Sequence, residues 1–409
     1  MNKNLLIIGF VWPEPETTAA GTRMLQLIEL FQKQNYKITF CSTALQTDNS
    51  FPLESLGIES ISIQLNDTSF DTLLRKIKPN AVLFDRFLTE EQFGWRVEET
   101  CPNAIRILDT EDLHFLRKTR EVSGLNKEFS LENFNNDYTK REIASIYRCD
   151  LTLLISKFEF NLLAHTFNID TSILFYIPFV YDTLQPEDYN GNPNFEKRKD
   201  FMTIGNFKHE PNWNGILYLK SMIWPLIRKE LPIAKLHIYG AYAPEKAKQL
   251  HNEKEGFLIE GWAEDKKDVF QKARVCLAPL QFGAGLKGKL IDSMLYGTPN
   301  VTTNIGAEGM HNSLSWNGFI EDNPEEFANK SAILYNTKEI WSQAQKNGYN
   351  LLKECFSKEI FTNLFFEKFL YIEENIKKHR SQNFIGAMLL HHSLKSTKYL
   401  SKWIEEKNK

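Results

Sequence analysis

The segment from Leu277 to Met310 holds residue types that bind anions. A strand is predicted up to Pro279, a loop with Gly283 and Gly285 follows, and Lys287 leads into a short helix. Such a turn places free backbone amides, the positive end of a helix dipole and a lysine at the carboxyl edge of a sheet. The spacing favours a phosphate or diphosphate site. The alternative is an ordinary solvated helix start, since glycine-bearing turns between a strand and a helix are common.

An acidic residue, Asp292, falls one turn into the same helix, after the second lysine, Lys289. A carboxylate at this place can accept hydrogen bonds from ribose hydroxyl groups, as an acidic residue does in dinucleotide-binding folds. Phosphate and ribose recognition together indicate a nucleotide ligand.

A second group of polar residues follows a predicted strand in the first half of the chain. Asp109, Glu111, Asp112 and His114 stand within six residues. Carboxylates and an imidazole at a strand end facing a cleft suit the recognition or deprotonation of substrate hydroxyl groups. A metal site and a solvated acidic turn are the alternatives, and the sequence leaves open which of the four residues faces the substrate. Asp112 and His114 are the favoured pair.

The predicted strands and helices that would position these polar residues form two similar series along the chain. Short apolar runs alternate with helical patterns, which is typical of α/β domains with parallel sheets covered by helices. The first series of predicted strands covers 5–10, 37–43, 60–65, 81–85, 104–109, 151–156 and 172–178. The second series covers 201–205, 235–240, 256–261, 275–280, 300–304 and 318–322. We predict Rossmann-like domains at 1–180 and 200–370, a linker rich in Pro, Asn, Gly and charge at 181–199, and C-terminal helices at 371–409.

Two local patterns need an interpretation. The apolar run from Leu5 to Trp12 resembles a signal-peptide core, but a helical pattern and a strand follow it, which favours a buried first strand. Ser156 and Glu159 have the spacing of a capping box, in which both side chains would satisfy amides of the first helical turn.

Composition excludes several classes of protein. The 409 residues are 42% hydrophobic and 25% charged, as in a soluble globular chain, and the net charge of −3 gives no drive to bind a nucleic-acid backbone. The five cysteines show no CxxC or CxxH pairing, so we expect reduced, mostly buried thiols. No stretch reaches the length of about 18 apolar residues that a membrane-spanning helix needs.

The chain resembles the retaining glycosyltransferases of the GT-B fold, family 4. The resemblance rests on the run from Gly283 to Met294, on Gly297-Thr298-Pro299 and on Gly306-Ala307-Glu308-Gly309. Gly205-Asn206-Phe207, Pro211-Asn212, Ile238-Tyr239-Gly240 and Gly261-Trp262 add further second-domain elements of that family. The resemblance covers essentially the whole chain. It implies two Rossmann-like domains facing a cleft, with a C-terminal helical segment that crosses back to the first domain.

The chain departs from the family signature at two positions. The family has two glutamates separated by seven residues, and here these positions hold Ala284 and Asp292. A subset of the family carries a glycine-alanine-glycine stretch and a lysine instead of the first acid, as this chain does. In the family, an arginine and a lysine after the first strand of the second domain bind the donor diphosphate, and no such pair is obvious here. Lys208 is a candidate for this role, and Lys287 is the favoured one.

The resemblance also indicates donor contacts outside the glycine loop. Gly21, which follows the first strand, would lie near the donor phosphates, with a simple helix start as the alternative. Trp262 would lie near the nucleotide base, although a lone tryptophan is more often part of a core. No potential catalytic or ligand partner stands at a characteristic spacing from His209, His237 or His251, so we interpret these histidines as structural.

The C-terminal segment from Phe384 to Lys407 has an apolar helical stripe flanked by lysines. The resemblance implies packing on the first domain, and a helix on a membrane surface is the alternative.

The resulting hypothesis is a metal-independent hexosyltransferase or related enzyme. It would transfer a sugar from a nucleotide-sugar to a saccharide or lipid-linked saccharide acceptor, in glycan or cell-surface polysaccharide synthesis. The nucleotide-sugar is a substrate, and no cofactor, metal or nucleic acid is expected. We expect a cytoplasmic location, with peripheral contact at the inner face of the cell membrane as an alternative.

A catalytically silent GT-B binding module and a nucleotide-sugar 2-epimerase remain open as alternative functions. A nicotinamide-dependent dehydrogenase is disfavoured, because no GxGxxG motif follows the first strand.

Overall fold

A computed structural model describes residues 3–123, 131–182 and 191–408, apart from the side chain of Ser393. It contains two parallel sheets. The first has the strand order β3-β2-β1-β4-β5-β6-β7 and the second the order β10-β9-β8-β11-β12-β13. The strands of the first sheet are β1 (Lys3–Gly9), β2 (Tyr36–Ser42), β3 (Glu59–Ser62), β4 (Ala81–Asp85), β5 (Ile105–Asp109), β6 (Leu151–Leu154) and β7 (Leu174–Tyr176). Those of the second are β8 (Lys199–Ile204), β9 (Leu236–Tyr239), β10 (Phe257–Gly261), β11 (Ala273–Ala278), β12 (Asn300–Thr302) and β13 (Gly318–Ile320).

Helices cover both faces of each sheet. In the first domain they are α1 (Ala19–Lys33), α2 (Ser69–Ile77), α3 (Arg86–Thr100), α4 (His114–Ser123), α5 (Asp137–Arg148) and α6 (Lys157–Asn161). In the second they are α7 (Glu210–Tyr218), α8 (Trp224–Glu230), α9 (Glu245–Lys248), α10 (Lys266–Lys272), α11 (Gly288–Leu295), α12 (Asn304–Ala307), α13 (Pro324–Asn336) and α14 (Lys338–Cys355). The C-terminal helices are α15 (Lys358–Glu374), α16 (Ile376–Gln382) and α17 (Phe384–Lys407). Every strand predicted from the sequence is present, and the prediction of two Rossmann-like domains is confirmed.

The apolar run at the start of the chain forms the central strand β1, between β2 and β4. Leu5, Leu6, Ile7 and Ile8 are all 0% exposed. Both faces of a parallel strand are covered by helices, which explains the lack of polar alternation in this run. The interpretation of the run as a buried first strand is confirmed.

The chain returns to the first domain at Ser357, which pairs with Tyr181. From there α15 packs Phe365 and Phe369 edge-on against Phe31 of α1, with ring centroids 5.6 and 5.7 Å apart. Helix α17 packs on α3 and α5. C-terminal helices therefore cross back to the first domain, starting ahead of the boundary at 371 that the sequence favours. Of the predicted linker, residues 183–190 lie outside the described residues.

Four of the five cysteines are buried, Cys101 is partly buried, and none forms a disulfide. Among the helices that the structure describes, none is long and apolar enough to cross a membrane.

Candidate functional site

A cleft of about 620 Å³ separates the carboxyl edges of the two sheets. The first domain contributes residues that follow β1, β4, β5 and β6, and the second contributes the loops after β8 and β11. Open α/β sheets bind ligands at these strand ends. Most of the polar groups singled out in the sequence converge here.

The loop after β11 comes very close to the first domain. Gly285 has φ +62°, a conformation that glycine adopts without strain, and a Cβ atom on it would lie 2.9 Å from Cβ of Asp112. A Cβ atom on Gly288, the first residue of α11, would lie 2.8 Å from Cβ of Ala19. Both glycines are therefore required by the close approach of the two domains.

Two lysines bring positive charge to the start of α11. Lys287 is buried, and among the described residues its Nζ donates to two carbonyl oxygens of its own loop, at 2.7 Å to Gly285 and 3.2 Å to Ala284. Lys289 Nζ donates to Oδ1 of Asn212 at 2.9 Å. Burial lowers the pKa of each lysine to about 8. Neither amino group forms an ion pair with any described residue, although the charges of Glu308, Glu159 and Asp112 act on Lys287. Both ammonium groups can therefore still pair with a bound anion.

Asp292 and Lys208 also line this cleft. The Asp292 carboxylate lies 3.5 Å from Nζ of Lys266, and burial raises the pKa of Asp292 although Lys266 opposes the shift. Lys208 is exposed, and its Nζ lies 3.8 Å from the centre of the Tyr242 ring. The residues predicted for donor phosphate and ribose contacts thus share the second-domain wall with Gly283 and Gly285.

Direct hydrogen bonds join the two domains beside the glycine loop. Arg120 of α4 donates to the Gly283 carbonyl at 2.8 Å and forms a two-point ion pair with Glu308 at 2.8 and 2.7 Å. Tyr242 donates to Glu14 at 3.0 Å at the far side of the cleft. The structure therefore holds the domains closed over the cleft.

The helix start predicted at Ser156 is confirmed, but the predicted capping-box hydrogen bonds of Ser156 and Glu159 are not formed. Ser156 precedes α6 in extended conformation, but its side chain accepts no capping hydrogen bond. Oε1 of Glu159 instead accepts from the backbone amides of Leu113, at 3.0 Å, and Gly285, at 2.8 Å. The helix begins as predicted, but the Glu159 carboxylate binds these distant amides instead of the amide of Ser156, because Glu159 is buried against the other domain. The sequence carries no signal that separates these two uses of the same spacing.

Glu159 predicts a measurable pH dependence of stability. Burial, together with the charge of Asp112, raises the pKa of Glu159 from 4.5 to about 8. Between these values the unfolded chain has released a proton that the folded protein keeps, so stability falls as pH rises from about 5 to 8. We expect Glu159→Gln to lose less stability over this range than the wild type, as measured by urea unfolding at both pH values. Equal losses in the two proteins would contradict this placement of Glu159.

The four polar residues after β5 separate into different environments. Asp109 is 0% exposed and pairs with buried Arg23, with 2.7 Å between Oδ1 and Nη2, so it does not face the cleft. Glu111, Asp112 and His114 line it. Glu111 has φ +60°, which is strained for a non-glycine residue, and burial beside Asp109 raises its pKa well above the usual value.

Asp112 and His114 lie next to each other. Nδ1 of His114 is 3.2 Å from the Asp112 carbonyl oxygen and 3.5 Å from its carboxylate. Burial alone would raise the pKa of Asp112, but its ion pair with Arg117 and the neighbouring His114 hold it well below the usual range. An ionised carboxylate beside an imidazole can bind or orient a hydroxyl group.

Two predicted donor contacts are not brought into the cleft lining. Gly21 lies within α1, where a Cβ atom would meet the Glu14 backbone at 2.4 Å, so this glycine serves local packing. Trp262 is 44% exposed beyond the end of β10. Conversely, His209, which the sequence assigned a structural role, lines the cleft together with Arg117 and Arg86.

In residues 3–123, 131–182 and 191–408, no group of three or more His, Cys, Asp or Glu side chains is arranged to hold a metal ion.

Two Rossmann-like domains that face each other across a cleft, with C-terminal helices returning to the first domain, define the GT-B fold. Residues 198–337 match the model of the family "Glycosyl transferases group 1". The matched segment begins just before β8 and includes the glycine loop, both lysines and Asp292, so the similarity to this family covers the second-domain wall of the cleft.

Similar proteins share this architecture at low sequence identity. An uncharacterized 44.6 kDa protein in the cps region of Klebsiella pneumoniae is 23% identical over 313 residues, covering 72% of this chain and 76% of its own. Sucrose-phosphate synthase from Thermosynechococcus elongatus has a TM-score of 0.68 at 15% identity, covering 91% and 99% of the two chains. HepE of Anabaena, solved with UDP and glucose, has a TM-score of 0.65 at 13% identity, and the match covers 89% of this chain and 98% of HepE.

Proposed function

We propose that this protein is a glycosyltransferase that moves a sugar from a nucleotide-sugar donor to a hydroxyl group of a saccharide acceptor. The observation that carries the proposal is the pair Lys287 and Lys289, two lysines without a carboxylate partner among the described residues, at the start of α11 inside the segment that matches the group 1 glycosyltransferase family. A nucleoside diphosphate can pair with both ammonium groups.

The donor would bind on the second-domain wall. The diphosphate would lie against Lys287, Lys289 and the free amides at the start of α11, and Asp292 would accept hydrogen bonds from the ribose hydroxyl groups. Cleavage at the anomeric carbon leaves charge on the departing diphosphate, which fixed amides and buried ammonium groups stabilise without reorganisation. We propose that these lysines carry out this task without a metal ion. The UDP-bound relative supports a nucleoside diphosphate in this fold.

The acceptor would bind on the first-domain wall. Ionised Asp112 and its neighbour His114 would orient the acceptor hydroxyl, beside Glu111, whose pKa is raised well above its usual value by burial. We propose retention of the anomeric configuration by a front-face path, in which the leaving phosphate accepts the acceptor proton. The closed cleft supports this proposal because it would exclude water from the reacting atoms.

We further propose a place for the reaction in glycan or cell-surface polysaccharide synthesis, with a saccharide or lipid-linked saccharide as acceptor. The relative in the cps region of Klebsiella pneumoniae supports this assignment. The enzyme would work in the cytoplasm, where nucleotide-sugars are available as substrates.

The test is turnover of a panel of nucleotide-sugars, with release of the nucleoside diphosphate as the readout. We expect one donor to release its nucleoside diphosphate, faster when an acceptor saccharide is present, and that nucleoside diphosphate to raise the melting temperature by mass action. Absence of both effects for every nucleotide would favour the silent binding module. Conversion of a donor into its epimer without acceptor would favour the 2-epimerase. Either result would overturn the proposal.

A further inference from the structure

Helix α17 is firmly attached to the first domain along one face. Leu394 and Ser401 are buried there, at 5% and 4% exposure. Arg96 of α3 forms ion pairs with Glu405 of α17 and with Asp71, and Lys398 pairs with Glu99. The helix therefore has a fixed orientation, and its other face is fixed with it.

The outward face of α17 carries exposed apolar side chains towards both ends of the helix, with exposed His392 between them and exposed Glu406 one turn after Trp403. Ile385 and Met388 are 46% and 45% exposed, and Tyr399 and Trp403 are 64% and 61% exposed. Successive spacings of three, eleven and four residues place these four side chains on one side of a helix of 24 residues, about 36 Å long. Phe384 and Leu400, 70% and 59% exposed, extend the stripe at its margins. We call these six residues the α17 stripe. One face of α17 packs on the first domain and the other is exposed. Packing on the domain and attachment to a membrane surface, the two alternatives for this helix, therefore do not exclude each other.

Basic side chains border the α17 stripe. Lys395, Lys402 and Lys407 are exposed, and Nζ of Lys407 lies 5.3 Å from the centre of the Trp403 ring. Lys377 and Lys378 of the adjoining α16 are exposed as well. Aromatic residues beside lysines on a helix that lies flat are the composition that binds the interface of an anionic bilayer. A second copy of the same face is a poorer partner, because the lysine rows of the two copies would repel each other.

We propose that the α17 stripe binds the surface of a membrane that contains anionic lipids. The apolar side chains enter the region between headgroups and acyl chains, and the bordering lysines bind lipid phosphates. The helix lies in the plane of the membrane and stays packed on α3 and α5. This attachment is independent of sugar transfer, since none of the six residues lines the cleft.

Flotation of the full-length protein with vesicles tests the proposal. We expect the protein to float with vesicles of phosphatidylcholine and phosphatidylglycerol, less at high salt, and poorly with phosphatidylcholine alone. Tyr399→Ser combined with Trp403→Ser should weaken binding about tenfold or more, and Lys395→Glu combined with Lys402→Glu should weaken it as well. Leu45→Ser and Ile233→Ser, at positions 90% and 86% exposed elsewhere, are the matched controls and should bind like the wild type.

Three results would overturn the proposal. One is failure of the folded wild type to float with anionic vesicles, and another is equal flotation of the stripe variants and the controls. The third is a concentration-dependent dimer, seen by light scattering, that the stripe variants abolish. The melting temperatures of all variants should equal that of the wild type. A loss of flotation then reflects weaker membrane binding and not unfolding of the variant.

Discussion

Lys287→Ala is expected to lower kcat/KM for the nucleotide-sugar donor by about 100-fold or more, the typical cost of removing one group that stabilises developing charge. Within the part of the chain that the structure describes, the buried ammonium group of Lys287 donates to carbonyl oxygens of its own loop and to no carboxylate, so its charge can pair with an incoming diphosphate. The measurement is the initial rate of nucleoside diphosphate release. Lys272→Ala is the matched control, because that side chain is 80% exposed and paired with Asp268.

The pH dependence of donor binding provides a second readout for the same residue. Burial lowers the pKa of Lys287 to about 8, so the free protein loses this positive charge as pH rises through 8. Affinity for the nucleoside diphosphate should therefore fall between pH 7 and 9, and calorimetric titration should show a smaller fall in Lys287→Ala. An activity equal to wild type in Lys287→Ala would remove Lys287 from the mechanism.

Asp109→Ala is expected to destabilise the protein by about 3–5 kcal/mol, because it leaves the buried guanidinium group of Arg23 without its counter-charge. Both side chains are almost fully buried, and Arg23 also donates to the Ile177 carbonyl at 2.7 Å, which fixes its position. The free energy of unfolding in urea measures this effect. Asp268→Ala, which breaks an exposed ion pair, should cost less than about 1 kcal/mol.

A double-mutant cycle separates pairing from packing. Arg23→Met combined with Asp109→Leu removes both charges, and its cost should be smaller than the sum of the two single changes. Simple additivity would show that the ion pair does not carry the stability assigned to it.

The strands and the glycine loop were predictable because their signals are local. A buried parallel strand is an apolar run of four to six residues, as in β1 and β4, and the turn after β11 requires glycines at fixed places. The cap of α13 is a contact of the same local kind, because Oδ1 of Asn323 accepts hydrogen bonds from the amides of Glu325 and Glu326 within one turn.

The errors have a common physical origin in contacts between distant segments. Glu159 has the spacing of a capping box, yet its carboxylate binds amides of Leu113 and Gly285, the latter in the other domain. Asp109 and Asp112 stand three residues apart and are indistinguishable in sequence. Only the position of Arg23 in α1, 86 residues away, buries one of them and leaves the other in the cleft.

The most direct test of the central claim is a crystal structure with the nucleoside diphosphate that stabilises the protein most. We predict diphosphate oxygens within hydrogen-bonding distance of Lys287 and of the amides that begin α11, with the ribose beside Asp292. A nucleotide bound outside the cleft, or bound in it with Lys287 still donating only to its own loop, would contradict the account.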